Sequence, residues 1–188
     1  MILGIDPGFA SCGYALLSPV KGERESDLCF TSVGVVRTQK TQKKIPLWED
    51  NARRTGDLYG SLKTVLVSET DSIAPVLFAI EAESWTRMPS DKLLGMARGA
   101  IYSLAFERGG AVEQYGPKEL KKEFCGTGSA SKTQLEEKLI VLHPELEEFL
   151  NRLPKTQRSH AADAAACAVY AQRNSNYARI LRAARCSL

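Results

Sequence analysis

The sequence begins with MILGIDPGFASCGYALL, residues 1–17, an apolar run that ends on Asp6, turns at Pro7-Gly8 and continues as a second apolar run. Short apolar runs bounded by Gly and Pro are typical of buried strands. An acid at the end of a buried strand costs free energy unless a cation or hydrogen-bond donors lie beside it. Asp before Pro-Gly is also typical of an Asx turn, so Asp6 alone is either a turn former or a functional acid.

The composition of the 188-residue chain indicates one globular domain with a core of its own. Hydrophobic residues make up 44% of the sequence and charged residues 25%, which excludes a disordered protein. The net charge is only +3, so affinity for a polyanion depends on how Lys and Arg are arranged. The five cysteines form no CxxC pair and no zinc pattern with the two histidines, so we expect reduced thiols. Because a signal-peptide pattern and a long apolar run are both missing, we expect a cytoplasmic protein with no membrane partner.

Strand and helix signals alternate along the chain. Strands are predicted at residues 2–5, 12–17, 28–36, 76–80 and 111–115. Helices are predicted at residues 47–70, 90–108, 117–124, 131–142 and 159–173. A hairpin loop at 21–27 makes the first three strands an antiparallel meander, and 155–158 is predicted as a loop. The fold class is therefore α/β, with a mixed five-stranded sheet covered by helices on both faces, over a domain of residues 1–174 and a basic tail of residues 175–188.

Three acids and one histidine are placed where this layout would bring them together. Asp6 ends the first strand, and Glu81 follows the buried strand 76–80. His160 and Asp163 are three residues apart and therefore share one face of the last helix, whose many alanines allow close packing against a sheet. The four side chains predict a site for hard divalent cations. A lone His on such a helix is more often a satisfied hydrogen-bond donor, so His160 is either a metal ligand or a hydrogen-bond donor.

Four motifs, in order, resemble the RuvC family of Holliday junction resolvases, which have the RNase H-like fold. They are ILGIDPG at the start, FAIE up to residue 81, GTGSASK up to residue 132 and HAADAAACA from residue 160. Their order and spacing match the family from residue 1 to about 172. The resemblance implies a crossover junction endodeoxyribonuclease that cuts four-way junctions and related branched DNA by symmetric phosphodiester hydrolysis.

The resemblance also implies roles for individual residues. In the family, the residues at the positions of Asp6, Glu81, His160 and Asp163 hold the catalytic metals. Lysines at the positions of Lys121 and Lys132 are implied to face the scissile phosphate or its neighbours. A homodimer and a branch-migration motor are implied partners, in the nucleoid-associated cytoplasm or, for a viral protein, in the host cytoplasm.

Phosphodiester hydrolysis gives an independent reason for metal ions. The reaction needs an activated water, an in-line geometry and stabilisation of the leaving oxygen, which two ions about 3.5–4 Å apart supply. Carboxylate ligands favour Mg²⁺, with Mn²⁺ as a substitute. Asp6 is expected to bridge the two ions, Glu81 to hold one and Asp163 with His160 the other. His160 could instead position the water, because a neutral imidazole is a poor ligand for Mg²⁺.

Two side chains that follow Glu81 have more than one possible role. Glu83 follows Glu81 at strand period and could add a ligand. Trp85 is either a wedge against the bases of the junction or a residue of the core or the dimer interface.

Two symmetric nicks in a junction need two active sites, so we expect a homodimer. The stretch 85–106 has more apolar residues than one sheet face requires, and either they form the interface or they face the core. They are Met88, Leu93, Leu94, Met96, Ile101, Leu104 and Phe106.

Two other functions compete with a nuclease. GIDPG also resembles the first phosphate loop of the actin-like ATPases and sugar kinases, and GTGSASKT differs from the P-loop pattern only by Ser131 before Lys132. The chain is too short for the two-lobed actin-like fold. A branched-DNA binding protein without cleavage is the other alternative, but such a protein would normally lack one of the acids.

Overall fold

The computed structural model describes residues 1–19, 28–68, 76–82, 90–177 and 179. The strands are β1 (Ile2–Asp6), β2 (Ser11–Pro19), β3 (Leu28–Arg37), β4 (Leu77–Glu81) and β5 (Ala111–Tyr115). The helices are α1 (Leu47–Ser68), α2 (Ser90–Glu107), α3 (Pro117–Cys125), α4 (Lys132–Leu142), α5 (Glu145–Asn151) and α6 (Lys155–Asn174). The predicted hairpin loop at 21–27, the tail beyond 179 and the residues Glu83, Trp85 and Met88 lie outside the described ranges. None of the helices within these ranges is long and apolar enough to cross a lipid bilayer.

The strands form one mixed sheet in the order β3-β2-β1-β4-β5. β1 and β3 both run antiparallel to β2, whereas β4 runs parallel to β1 and to β5. The predicted antiparallel meander with added parallel strands is confirmed. Because Ile5 pairs with Ile80 in a parallel register, Asp6 and Glu81 both lie at the carboxyl edge of the sheet.

Helices cover both faces of the sheet, as predicted. On one face, α1 and α2 bury Leu58 and Ile101 against strand residues such as Leu3 and Ile5. On the other face, α3 to α6 form the second core cluster with residues such as Leu17 and Ala79. The four cysteines in the described part of the chain are free thiols.

Close packing of α6 on the sheet depends on two glycines. A Cβ atom on Gly4 would lie 2.0 Å from the carbonyl oxygen of Ala164, and one on Gly13 would lie 2.0 Å from that of His160. The facing side of α6 is almost all alanine and is buried. Small side chains on both partners therefore let the helix backbone rest directly on β1 and β2, which brings His160 and Asp163 to the end of β1.

Two sequence predictions were wrong in the region before α6. No helix was predicted between 143 and 154, but α5 forms there and buries Leu146 and Leu150, one turn apart. The four-residue stretch 155–158 is not a loop but the first turn of α6, where Gln157 and Arg158 donate backbone N–H groups to the carbonyl of Pro154. This turn is polar because it extends into solvent, with Lys155 exposed. Its polar composition is typical of a loop, which is why the sequence predicts a loop here.

The apolar residues of α2 are divided between core and surface. Ile101 and Leu104 are fully buried in the core, and Leu93 and Met96 pack against it. The prediction that such residues form a surplus for an interface is therefore wrong for Ile101 and Leu104. Phe106, by contrast, is 88% exposed.

Candidate active site

Three carboxylates meet at the carboxyl edge of the sheet. Asp6, Glu81 and Asp163 each offer an oxygen atom, and these three atoms lie within 4.8 Å of one another. Asp6 and Asp163 are buried, and Glu81 is half-buried. Within the described ranges, this is the group of His, Cys, Asp or Glu residues with the spacing to hold a metal ion. The structure thus brings together three of the predicted site residues, from β1, β4 and α6.

The cluster is electrostatically unfavourable for its own acids. Burial, together with the negative charges of Asp6 and Asp163, raises the pKa of Glu81 to about 8. Burial also raises the pKa of Asp163, although a hydrogen bond from Lys132 acts in the opposite direction. Like charges this close favour a proton or a cation between them.

His160 lies beside the carboxylates and contacts Asp6. Its Nδ1 atom is 2.6 Å from Asp6 Oδ2, and since an ionised carboxylate only accepts, the imidazole donates this hydrogen bond. The bond to Asp6 raises the pKa of His160, against the lowering effect of burial. His160 is therefore placed to orient Asp6, and its role as a metal ligand stays a prediction.

Of the two predicted lysines, Lys132 reaches the cluster. Its Nζ atom donates to Asp163 Oδ2 at 2.7 Å, while its side chain remains 57% exposed. Burial lowers the pKa of Lys132, but the hydrogen bond to Asp163 and the negative charges of the three acids together outweigh this effect, and the net change is upward. Lys121 is half-buried on α3 and makes no hydrogen bond or ion pair with any residue that the structure describes, so the structure does not bring it into the cluster.

The segment GTGSASKT does not form a phosphate-binding loop of the P-loop type. It connects α3 to α4, so it follows a helix rather than a strand. Gly126 ends α3 with a φ of 76°. Ser131 caps α4 in a capping box, in which its Oγ accepts from the N–H of Gln134. This cap fixes Lys132 as the first residue of α4.

Two buried arginines support the site and were missed in the sequence. Arg98 on α2 donates to the carbonyl oxygen of Glu81 at 2.8 Å. Arg54 on α1 lies 4.3 Å from the ring of Phe9 and donates to Thr38, which itself donates to the carbonyl of Phe9. Arg54 therefore supports the turn that follows Asp6. The sequence does contain a signal that Arg54 is buried: it lies four residues before Leu58 and therefore falls in the apolar stripe of α1.

The chemistry of the donor set fits a hard divalent cation. All three converging ligand atoms are carboxylate oxygens, which Mg²⁺ and Mn²⁺ prefer in proteins. The raised pKa of Glu81 indicates more negative charge than the protein alone neutralises. A divalent cation would remove this excess and hold the three acids in their ionised form.

The family model for crossover junction endodeoxyribonuclease RuvC matches residues 2–171. A protein of that name from Heliobacterium modesticaldum is 33% identical over 170 residues, which are 90% of this chain and 91% of that protein. The solved structure of Thermus thermophilus RuvC in complex with a Holliday junction substrate is 27% identical, with a TM-score of 0.66, and covers 95% of this chain and 94% of that one. The yeast mitochondrial Holliday junction resolvase Ydc2, 16% identical over 96% of this chain and 83% of that one, shares the fold with a TM-score of 0.60. A match of this extent contains the whole sheet and all four sequence motifs, and this chain accordingly belongs to the RuvC family.

Proposed function

We propose that this protein is a metal-dependent endonuclease that resolves Holliday junctions and related branched DNA by symmetric phosphodiester hydrolysis. The observation that carries the proposal is the convergence of Asp6, Glu81 and Asp163 within 4.8 Å at one sheet edge, in a member of the RuvC family. A binding protein without cleavage has no need for three mutually repelling acids, two buried and one half-buried, because a bound cation is needed to offset the free-energy cost of their repulsion.

Asp6, Glu81 and Asp163 would hold two Mg²⁺ ions, for which Mn²⁺ is expected to substitute. When bound, such ions activate the attacking water and stabilise the charge on the leaving oxygen. The protein contributes the fixed positions of the carboxylates. β1 and β4 present Asp6 and Glu81 side by side, and α6 brings Asp163 over them.

His160 and Lys132 act beside the acids. His160 holds Asp6 through its Nδ1 hydrogen bond and so orients that carboxylate; a role as an additional ligand is the alternative. Lys132 neutralises Asp163 in the DNA-free state, and its exposed ammonium group can move to a phosphate oxygen when DNA arrives. Lys121 is proposed to contact the phosphate backbone near the cut, on the strength of its position in the family motif alone.

A homodimer is part of the proposal, because the described part of each chain offers one such cluster and a symmetric junction needs two. The exposed Phe106 on α2, rather than the buried Ile101 and Leu104, is its candidate contact. A branch-migration motor as partner, a cytoplasmic location, and the division into a nuclease domain of residues 1–174 and a basic tail of residues 175–188 also remain proposals.

The test is cleavage of labelled four-way junctions, flaps, D-loops and forks with Mg²⁺, with Mn²⁺ and in EDTA. We expect paired nicks at symmetric positions of the four-way junction with either ion and no nicks in EDTA. Binding to the junction without nicks under all conditions would instead support the alternative, a branched-DNA binding protein. Analytical ultracentrifugation of the same samples tests the dimer, which a monomer both free and on the junction would contradict.

A further inference from the structure

A basic segment begins at the same edge of the sheet as the three carboxylates. Arg37 ends β3 opposite Ser11 of β2, and Gly13 of β2 pairs with Asp6. Two strand spacings of about 4.8 Å and five residues of at most about 3.5 Å place the Cα atom of Lys40 within roughly 27 Å of that of Asp6. At about 3.4 Å per nucleotide, this distance corresponds to at most about eight nucleotides along one strand.

This segment concentrates positive charge. Between Leu28 and Trp48 the sequence contains four basic residues and no acid, whereas the net charge of the whole chain is only +3. The four basic side chains, all exposed, are Arg37, Lys40, Lys43 and Lys44. Immediately after them, at the start of α1, Leu47 and Trp48 are 65% and 72% exposed. Cations next to an exposed indole combine a phosphate-binding surface with a flat apolar face for stacking.

Hydrogen bonds fix the backbone of the β3–α1 loop (residues 38–46) to the body of the protein. Thr38 donates its N–H to Ala10 at 3.1 Å and its hydroxyl to Phe9 at 2.5 Å, both in the turn after Asp6. The carbonyl of Gln39 accepts from Arg53 of α1 at 2.6 Å. The lysines therefore project from a backbone that is anchored directly to the turn of the catalytic strand.

Asp50, one of the two acids in the first turn of α1, is engaged with this loop. Asp50 accepts from the N–H of Thr41 at 3.2 Å and from Arg53 at 2.8 Å. The hydrogen bond from Arg53 is the main reason that the pKa of Asp50 is lowered, so this acid stays ionised and paired. Its charge is used within the protein, and the exposed lysines are left to interact with an external anion.

We propose that the β3–α1 loop together with Trp48 is a second DNA-contacting surface, which holds the phosphate backbone of a junction arm several nucleotides from the cut. The proposal rests on the proposed function, since junction DNA is the ligand. Lys40, Lys43 and Lys44 contact phosphates, and Trp48 stacks on an accessible base or sugar. Because the loop lies away from the carboxylates, it contributes to affinity and orientation of the DNA, not to the chemical step.

The test compares Lys43→Ala/Lys44→Ala with the charge-matched control Lys63→Ala/Arg108→Ala. Lys63 lies near the carboxyl end of α1 and Arg108 directly follows α2, both at the opposite end of the sheet, where Lys63 pairs with Glu107. Binding of the full-length variants to a labelled four-way junction is measured in EDTA from low to high salt, and cleavage in Mg²⁺ is measured with protein in excess. We expect the loop variant to bind about 10-fold more weakly or worse near 0.1 M salt, with the slope of log K against log salt reduced by about 1 to 2. Its cleavage rate at saturation should stay within about two-fold of the parent, and the control should match the parent throughout.

Trp48→Ala gives a second readout, because stacking involves no counterion release. We expect affinity to fall about 5-fold or more with an unchanged salt slope, and Trp48→Phe to restore most of it. If the loop variant binds like the control while the parent binds and cuts the junction, this inference is wrong and the proposed function stands. The partner of the lysines would then be an acidic protein surface. A parent that binds no branched DNA would overturn the proposed function and this inference together.

Discussion

The Nδ1 atom of His160 lies 2.6 Å from Oδ2 of Asp6, although 154 residues separate the two in the chain. The contact exists because α6 rests on β1 and β2 without intervening side chains. It ties the first strand to the last helix at the point where the carboxylates meet. The orientation of Asp6 thus depends on a residue that is not itself one of the three converging acids.

Replacing His160 tests this dependence. His160→Ala should slow single-turnover cleavage about 10- to 100-fold, the usual cost of removing a group that orients a metal ligand, while junction affinity changes less than about two-fold. His160→Asp should retain more activity than the alanine variant, since a carboxylate at this position can itself hold the cation. An alanine variant as fast as the parent would show that the hydrogen bond to Asp6 has no part in the reaction.

Lys132 should affect cleavage more than binding. Lys132→Ala removes an ammonium group that lies 2.7 Å from Asp163, so we expect cleavage of bound junction to slow at least about 10-fold. Affinity should fall only slightly, because one phosphate contact among many contributes little. Lys121→Ala should act in the same direction. The control is Lys138→Ala, an exposed lysine of the same helix as Lys132, and equal rates for Lys132→Ala and this control would contradict the proposed role.

Glu81 should destabilise the metal-free protein. Because burial and the neighbouring acids raise the pKa of Glu81 to about 8, folding near pH 7 has to protonate this side chain, and Glu81→Gln removes that cost, so thermal unfolding in EDTA should shift upward by a few °C, roughly 1 kcal/mol for a domain of this size. Added Mg²⁺ should stabilise the parent and have a smaller effect on the variant, because the variant has lost a ligand. The exposed Glu147→Gln serves as control and should shift neither value. Equal Mg²⁺ stabilisation of parent and Glu81→Gln would argue against Glu81 as a ligand.

The approach of α6 to the sheet should tolerate no side chain at Gly4. Gly4→Ala places a Cβ atom 2.0 Å from the carbonyl of Ala164, and we expect at least about 3 kcal/mol of lost stability in urea unfolding. Gly56→Ala on the exposed face of α1 meets no atom within 4 Å and should stabilise the protein by about 0.5–1 kcal/mol through helix propensity. If Gly4→Ala unfolds like the parent, the close packing is not what holds α6 in place.

The parts of the fold that follow from local pattern were predictable from the sequence. The run ILGID, the buried strand before Glu81 and the alanine-rich helix each have a period and composition that fit one structure. The parallel placement of β1 and β4 then brings Asp6 and Glu81 together without further information. α5 was missed because its seven residues contain only two buried leucines, too few for a visible period.

Contacts between distant elements could not be read from local pattern. The ion pair of Lys132 with Asp163 joins α4 to α6, and no Lys or Arg lies three or four positions from Asp163 along α6. Arg54 was similarly hidden, since its partners Thr38 and Phe9 come from β3 and the turn after β1. Side chains of this kind take their roles from tertiary packing, which the periodicity of one helix does not encode.

Asp6→Asn removes the charge of one of the carboxylates that we propose to hold the cation needed for cutting branched DNA. The amide keeps the shape of the carboxylate and loses its charge. The measurement is single-turnover cleavage of a labelled four-way junction in Mg²⁺, with junction affinity measured in EDTA on the same protein. We expect Asp6→Asn to bind the junction like the parent and to cut it at least about 1,000-fold more slowly. Asp57 is an exposed acid of α1 paired with Arg53, and Asp57→Asn should behave like the parent in both assays. If Asp6→Asn cuts the junction at the rate of the parent, Asp6 is not needed to hold the cation and the proposed mechanism is wrong.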